Sequence, residues 1–215
     1  GTYSVTVTDS AGLVDSLTEF LNSSLSISNF PYSEGFESSF GLFYNDTVND
    51  NIDWEFDFNG TPSGGTGPTA PSQGGFYIRI EGSAPPVGLA SPGDEAILVG
   101  PCVDLSGASN PFISFDNHQW SQTGTTPANC KLILEADSGN GIWFQLFKQS
   151  GDQGNQWNSD TVDLSSFIGN NLTFRFIAKV SDTTGASNFR SDISLDRVYL
   201  EKSPPLRISS ASVVQ

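Results

Sequence analysis

The sequence predicts an all-β protein, a sandwich or a barrel, and three observations carry this. Short segments in which apolar and polar residues alternate recur along the chain, the pattern of a strand with one buried face. Turn formers separate them, with 22 Gly and 12 Pro among 215 residues and abundant Ser, Thr and Asn. Helical spacing occurs in one segment alone, residues 13–25. Many strands with Gly/Pro-rich turns and almost no helix mean two packed sheets or one closed sheet. No fixed repeat period is present, which rejects a propeller or solenoid.

Taken in order, residues 1–12 alternate Tyr3, Val5 and Val7 against Thr2, Ser4 and Thr6 and end in a Thr-Asp-Ser turn. This is one strand with an exposed face. In residues 13–25, Leu13, Leu17, Phe20 and Leu21 fall near helical spacing, with Asp15 or Ser16 as a cap. Residues 23–29 are small and polar, a connection. Pro31 then sets an extended approach. Residues 54–58 form a strand with Trp54, Phe56 and Phe58 on an apolar face and Asp53, Glu55 and Asp57 on an acidic one. Residues 60–68 (GTPSGGTGP) read as a surface loop. Residues 76–81 place Phe76, Ile78 and Ile80 opposite Tyr77, Arg79 and Glu81. An apolar strand over 95–99 stops at Gly100-Pro101-Cys102. Further strands are expected over 112–118, 157–164, 172–180 and 193–201. Strands over 131–136 and 142–148 form a hairpin around Asp137-Ser138-Gly139-Asn140-Gly141. Ser203-Pro204-Pro205 ends the series.

Composition excludes several functions. Acidic residues outnumber basic ones 24 to 9, a net charge of −15. Nucleic acid phosphates and anionic membrane surfaces call for the opposite sign. No apolar run approaches the roughly 20 residues of a membrane span. The absence of Met leads us to expect a fragment or processed product. Two cysteines are too few for a disulfide scaffold. Cys102 and Cys130 form one bridge in an oxidising compartment, or they stand as two small buried thiols.

Several segments together resemble a known family. They are Phe36-Glu37, the Asp50-Asn51-Ile52-Asp53-Trp54 turn, residues 60–68, residues 75–81 (GFYIRIE), residues 152–157 (DQGNQW) and residues 191–196 (SDISLD). In this order they resemble the MAM domain, named for meprins, the neuropilin-type antigen and a receptor tyrosine phosphatase. The resemblance runs from about Phe36 to Leu200. It implies a jelly-roll β-sandwich of two antiparallel sheets, with Trp54 and Trp157 at core positions. Animal members carry cysteines beside the first Phe-Glu pair and near the domain end, and none stands there in this chain. The first strand resembles the last strand of an immunoglobulin-like repeat of the kind found in tandem in Bacteroidetes surface proteins. The alternative is an added strand of the main sandwich. The resulting organisation is residues 1–29 as the tail of an upstream module plus linker, 30–202 as the MAM-like domain, and 203–215 as a C-terminal linker.

The resemblance also implies a structural cation site, because MAM domains and related jelly rolls hold one where the first and last strands meet. Glu37, Asn51, Asp53 and Asp196 are the ligands it points to, with Asp50 next. Ca²⁺ prefers six to eight oxygens of this kind, and Na⁺ would use the same ones. Asp182 and Asp192 are a lesser, second set. Residues 52–56 (IDWEF) also resemble the catalytic strand of jelly-roll glucanases and agarases. However, Asn51 stands where the nucleophilic Glu belongs, and the strand comes too early in the fold. His118 is the single histidine, and no G-x-S-x-G elbow accompanies it. Gly64-Gly65-Thr66-Gly67 lacks the lysine of a phosphate loop. Sequons at Asn22, Asn45, Asn59 and Asn171 read as chance in an Asn- and Thr-rich chain.

Trp120 and Trp143 lie beside polar loops and are candidates for stacking on sugar rings, with Asn117 and Gln119 to meet hydroxyls. The expected function is a noncatalytic adhesion or recognition module of a larger secreted or cell-surface protein. Its partners would be a glycan, an extracellular protein or other domains of the parent protein. The alternative is a carbohydrate-binding module attached to a polysaccharide-degrading enzyme or protease.

Overall fold

The structure is a computed structural model that describes residues 2–8, 14–20, 26–83, 85, 88–121, 130–181 and 188–202. Fourteen strands occur in these segments. They begin with β1 (Thr2–Thr8), β2 (Val14–Phe20), β3 (Ser26–Ile27), β4 (Tyr32–Glu34), β5 (Tyr44–Asn45), β6 (Glu55–Asp57) and β7 (Tyr77–Ile80). They continue with β8 (Glu95–Asp104), β9 (Phe112–Gln119), β10 (Lys131–Asp137), β11 (Phe144–Ser150), β12 (Asn158–Asp163), β13 (Asn171–Lys179) and β14 (Ile193–Glu201). Two short 3₁₀ turns are the only helical elements among the described residues.

The chain is a jelly-roll β-sandwich of two six-stranded sheets. One has the order β11-β10-β13-β8-β3, with β5 also on β8. The other has the order β12-β9-β14-β7-β6, with β4 also on β14. Pairing is antiparallel throughout the sandwich except for β3 on β8. Inward residues follow the alternation. Ile113 and Phe115 on β9, Leu132 and Leu134 on β10, and Phe174 and Phe176 on β13 meet between the sheets with Trp54, Leu98 and Leu195. Phe115 sits edge-on to Phe147 and Phe176, with ring centroids 5.2 and 5.0 Å away. Such T-shaped contacts suit the ring quadrupole.

Four local expectations change. Residues 14–20 are a strand, because each pairs with a residue of β1, from Thr2 opposite Phe20 to Thr8 opposite Val14. Continuous ladder hydrogen bonds outweigh a weak helical spacing in a segment of only two turns. β1 and β2 form a ladder of their own, so β1 is not an added strand of the sandwich. Ile27 is buried in the core and β3 runs beside Cys102 and Val103, so the sandwich begins before residue 30. β8 runs through Gly100 and Pro101. Thr173 faces Cys102 while Arg175 faces Val99, so a bulge absorbs the proline. The expected linker, residues 203–215, lies outside the described residues.

The cysteines do not bridge. Both are free thiols. Cys102 faces Thr173 at one end of β13, whereas Cys130 precedes Lys131, which faces Lys179 at the other end. Six residues of strand separate them along the sheet, roughly 20 Å at the usual rise, far beyond the reach of a disulfide. Cys130 is buried, and burial pushes its thiol up to about 11.

Candidate functional site

The outer face of the second sheet is polar, and much of it is buried. Glu55 faces Arg79 and Asp57 faces Tyr77 across the β6–β7 ladder, so these four side chains share that face. Arg79 Nε donates to Asp57 Oδ2 at 2.6 Å, and its Nη1 lies 3.4 Å from Glu55 Oε2. Asp57 also accepts the backbone N–H of Phe58 at 2.7 Å. The acidic face of residues 53–57 is therefore partly internal. Conversely, Phe56 and Phe58, expected in the core, are exposed. They stack on Phe40 and Phe76 at the sheet edge, with centroids 4.5 and 5.7 Å apart. Trp54 alone of that apolar set is buried.

Arg79 opens into a recess of about 480 Å³. The turn before β6 supplies Asn51, Ile52 and Asp53 to its wall, β6 supplies Glu55, and the end of β7 supplies Glu81. Pro62 and Leu89 add apolar surface. Glu81 is held on one side only. Its Oε1 accepts Ser63 Oγ at 3.1 Å and the Ser83 N–H at 2.9 Å. Its Oε2 is buried with no hydrogen-bond partner among the described residues, as is Arg79 Nη1.

Behind Glu81 lies Asp192, fully buried, which accepts Thr66 Oγ1 at 2.6 Å and the Gly82 N–H at 2.8 Å. Burial, and then the Glu81 charge, raise its carboxyl well above the usual range. Thr66, Gly67 and Pro68 are buried too, so this loop is a strap and not a surface loop. It continues along the sheet. Ser72 and Gln73 donate backbone N–H to Asp196 Oδ2 at 2.9 and 3.0 Å, and Ser72 Oγ donates to Asp116. Trp157 Nε1 donates to the Ala70 carbonyl at 2.9 Å, and its ring lies edge-on to Tyr77 and His118. Trp157 thus packs against the outer face and not in the core. Burial raises Asp196 to about 6 against its three backbone donors, and lowers His118 to about 4.

These shifts give a pH prediction. A carboxyl raised on folding contributes stability that is present below its ordinary pKa and lost as pH rises through the raised one. His118 acts in the opposite sense: its contribution is present above about 6.5 and lost as pH falls toward 4. Asp192→Asn keeps an acceptor without the charge. Its melting temperature is expected to exceed that of the native chain at about pH 8, with the gap closing toward about pH 5. A gap that does not change with pH would remove Asp192 as a titrating burden.

The four expected cation ligands do not converge. Asn51 and Asp53 line the recess. Glu37 Oε2 accepts the Gly75 N–H at 2.8 Å. The Asp196 oxygens are taken by the N–H groups of Ser72, Gln73 and Arg197. Among the described residues, no group of three or more His, Cys, Asp or Glu side chains is placed to hold a metal ion. Asp50 instead accepts the Ile97 N–H at 2.8 Å. Asp182 lies outside the described residues.

The expected sugar-binding set is also dispersed. Asn117 and Gln119 are buried and face inward with Phe115, and Asn117 Nδ2 donates to Asp160 Oδ2 at 2.7 Å. The amide oxygens of both are buried without a hydrogen-bond partner among the described residues. Trp120 is half-buried. Trp143 is half-buried on the opposite sheet, with the Arg175 guanidinium 4.1 Å from its ring centroid. Arg175 is itself fixed by Glu135 at 2.6 Å. One ring face is therefore occupied. Sequence reasoning put Arg79 and Glu81 on one face but missed their burial, because the strap that covers them is set by contacts such as Thr66 to Asp192, 126 positions apart.

A profile of the MAM domain, meprin/A5/mu, matches residues 35–204. Solved structures of similar fold include the K1 cleaved adhesin domain of Lys-gingipain from Porphyromonas gingivalis W83. It is 17% identical with a TM-score of 0.50, over 80% of this chain and 98% of that one. The module TmCBM61, solved with β-1,4-galactotriose, is 13% identical with a TM-score of 0.48, over 78% and 94%. The CBM22-1 xylan-binding domain of Paenibacillus barcinonensis Xyn10C is 14% identical with a TM-score of 0.43, over 81% and 95%.

Proposed function

Because the chain belongs to the MAM family, we propose that it is a noncatalytic recognition module, working as an adhesive part of a larger secreted or cell-surface protein. One observation carries this reading. The recess beside Arg79 is lined by two residues that each keep a buried polar atom without a hydrogen bond among the described residues, the donor Arg79 Nη1, 3.4 Å from Glu55 Oε2, and the acceptor Glu81 Oε2. Buried polar atoms in folded proteins are nearly always paired. Two left over in one preformed recess are a place for something to bind. The same groups argue against catalysis. Asp57 is committed to Arg79, so it is not free as the second carboxylate of a glycosidase pair. His118 is buried beside Asn155, and burial lowers it to about 4; Ser194 stands opposite it on β14, but the Ser194 hydroxyl makes no hydrogen bond to it. No described helix is long and apolar enough to cross a membrane.

The test is a binding screen of the folded chain against soluble polysaccharides, free glycans and matrix proteins, in calcium and again in chelator. Saturable binding with the ligand recovered unchanged is expected. Accumulating hydrolysis product would overturn the noncatalytic assignment. A blank across all three classes in both buffers would overturn recognition itself.

A further inference from the structure

Resting on that reading, we propose that the recess beside Arg79 takes a neutral polyhydroxylated ligand, the terminal or branch sugar of a glycan, and that Arg79 and Glu81 read adjacent hydroxyls. The argument is by elimination on charge and then by valence. Asp53, Glu55 and Glu81 all line the recess, so a phosphate, sulfate or carboxylate ligand would meet three carboxylates. The chain as a whole carries −15, which works against the same ligands at long range. A cationic ligand satisfies the acids but fails at Arg79. The guanidinium only donates, and an ammonium or metal ion has no lone pair to offer it. The side chain of Arg79 is nine-tenths buried, and its Nη1 lies 3.4 Å from Glu55 Oε2 without making a hydrogen bond, so this failure cannot be relieved by turning it outward.

A hydroxyl answers both groups. Its O–H donates to Glu81 Oε2, and its oxygen accepts from Arg79 Nη1. Two adjacent hydroxyls do the same with a fixed spacing, which is the chemistry of a sugar ring. The readers are held in place before the ligand arrives. Asp57 fixes Arg79 at 2.6 Å. Ser63 and the Ser83 N–H fix Glu81, and the two serine hydroxyls lie 2.8 Å apart. Preorganisation of this kind lowers the cost of binding. Ile52, Pro62 and Leu89 offer aliphatic wall to the C–H face of a ring. The volume of about 480 Å³ lies in the range of small-molecule sites. No aromatic side chain stands among the described lining residues, so recognition here rests on hydrogen bonds and not on ring stacking.

The experiment is an NMR titration of the whole ¹⁵N-labelled chain with neutral monosaccharides and disaccharides. A sialylated oligosaccharide and a lysine-rich peptide serve as the charged comparisons. Saturable shifts at the Arg79 Nε–H and the Ser63, Glu81 and Ser83 amides are expected with a neutral sugar. Glu81→Gln is expected to weaken binding at least tenfold, with the melting temperature close to native. Leu89→Ala, an exposed truncation outside the ion pairs, is expected to weaken it by a smaller factor, so the site remains testable if the glutamine variant fails to fold. Trp143→Ala is expected to leave affinity unchanged. Shifts produced only by the charged probes would overturn the ligand class and leave recognition standing. Neutral-sugar shifts at Trp143 or Trp120 would move the site. If the recess is silent while the broader screen finds a partner, this proposal alone fails. Silence in both removes the recognition reading too.

Discussion

Asp57→Ala is expected to destabilise the chain by about 3–5 kcal/mol, because it strands a buried guanidinium. The side chains of Asp57 and Arg79 are only 10% and 9% exposed, whereas Glu55, the other acid near Arg79, is 61% exposed. Solvent already screens the Glu55 contact, so Glu55→Ala is expected to cost no more than about 1 kcal/mol. The asymmetry follows from desolvation. Arg79 gave up water on folding, and Asp57 returns a charge-assisted hydrogen bond at 2.6 Å in its place. Asp57 also accepts the N–H of Phe58 and of Asn59, so its loss frees the chain leaving β6 as well. Urea denaturation of the two single variants measures the difference. A third variant, Asp57→Ala with Arg79→Met, removes the stranded charge and is expected to recover much of the loss. If Asp57→Ala costs no more than Glu55→Ala, the ion pair is a surface contact in all but appearance.

The residues around Asp57 also mark how far the sequence could be read. Where β10 and β11 pair as near neighbours the local pattern was enough, whereas β2, which pairs with the adjacent β1, carried a misleading helical spacing. The β10–β11 hairpin turns where Asp137 can accept the N–H groups of Gly139, Asn140 and Gly141, as the loop chemistry implied. Alternation also assigned Glu55, Asp57 and Arg79 to their faces correctly. It did not say which face meets water. That depends on residues 60–76, which lie across the outer face and hold it through Thr66, Ser72 and Trp157. A Gly-, Pro- and Ser-rich segment looks like a surface loop in sequence, because its few anchoring side chains have no periodicity. The exposure of Phe56 and Phe58 has the same origin. β6 is a three-residue edge strand, and an inward position at an edge is covered on one side only. The resemblance to the MAM family placed Glu37 and Asp196 in one neighbourhood, and both do hold the stretch from Ser72 to Gly75. They do so through backbone N–H groups, an alternative partner for a carboxylate that no sequence pattern distinguishes from a cation.

Trp54→Ala is expected to cost about 3–5 kcal/mol, the usual range for deleting a large core aromatic. Trp54 is among the largest fully buried side chains, and it fills the space between the sheets where β6 ends the second one. Its backbone is clamped from the opposite sheet. Trp54 N–H donates to Asn45 Oδ1 at 3.1 Å, and Asn45 Nδ2 donates to the Trp54 carbonyl at 3.0 Å. Because this clamp holds the backbone in place, the surroundings cannot collapse to fill the cavity, which puts the cost toward the upper end. The indole N–H finds no partner among the described residues, so part of the burial is offset by a lost hydrogen bond to water. Trp54→Phe drops that N–H while keeping most of the ring, and is expected to cost less than half as much as the alanine. Trp143→Ala is the contrast. That ring is half-buried and stacks on Arg175, an interaction of about 0.5–1 kcal/mol at such sites. Thermal and urea unfolding of the three variants rank them Trp54→Ala, Trp54→Phe, Trp143→Ala in decreasing cost. If Trp143→Ala proves the most damaging, the weight of the fold lies on the other sheet, and the edge at β6 is free to open around the recess it walls.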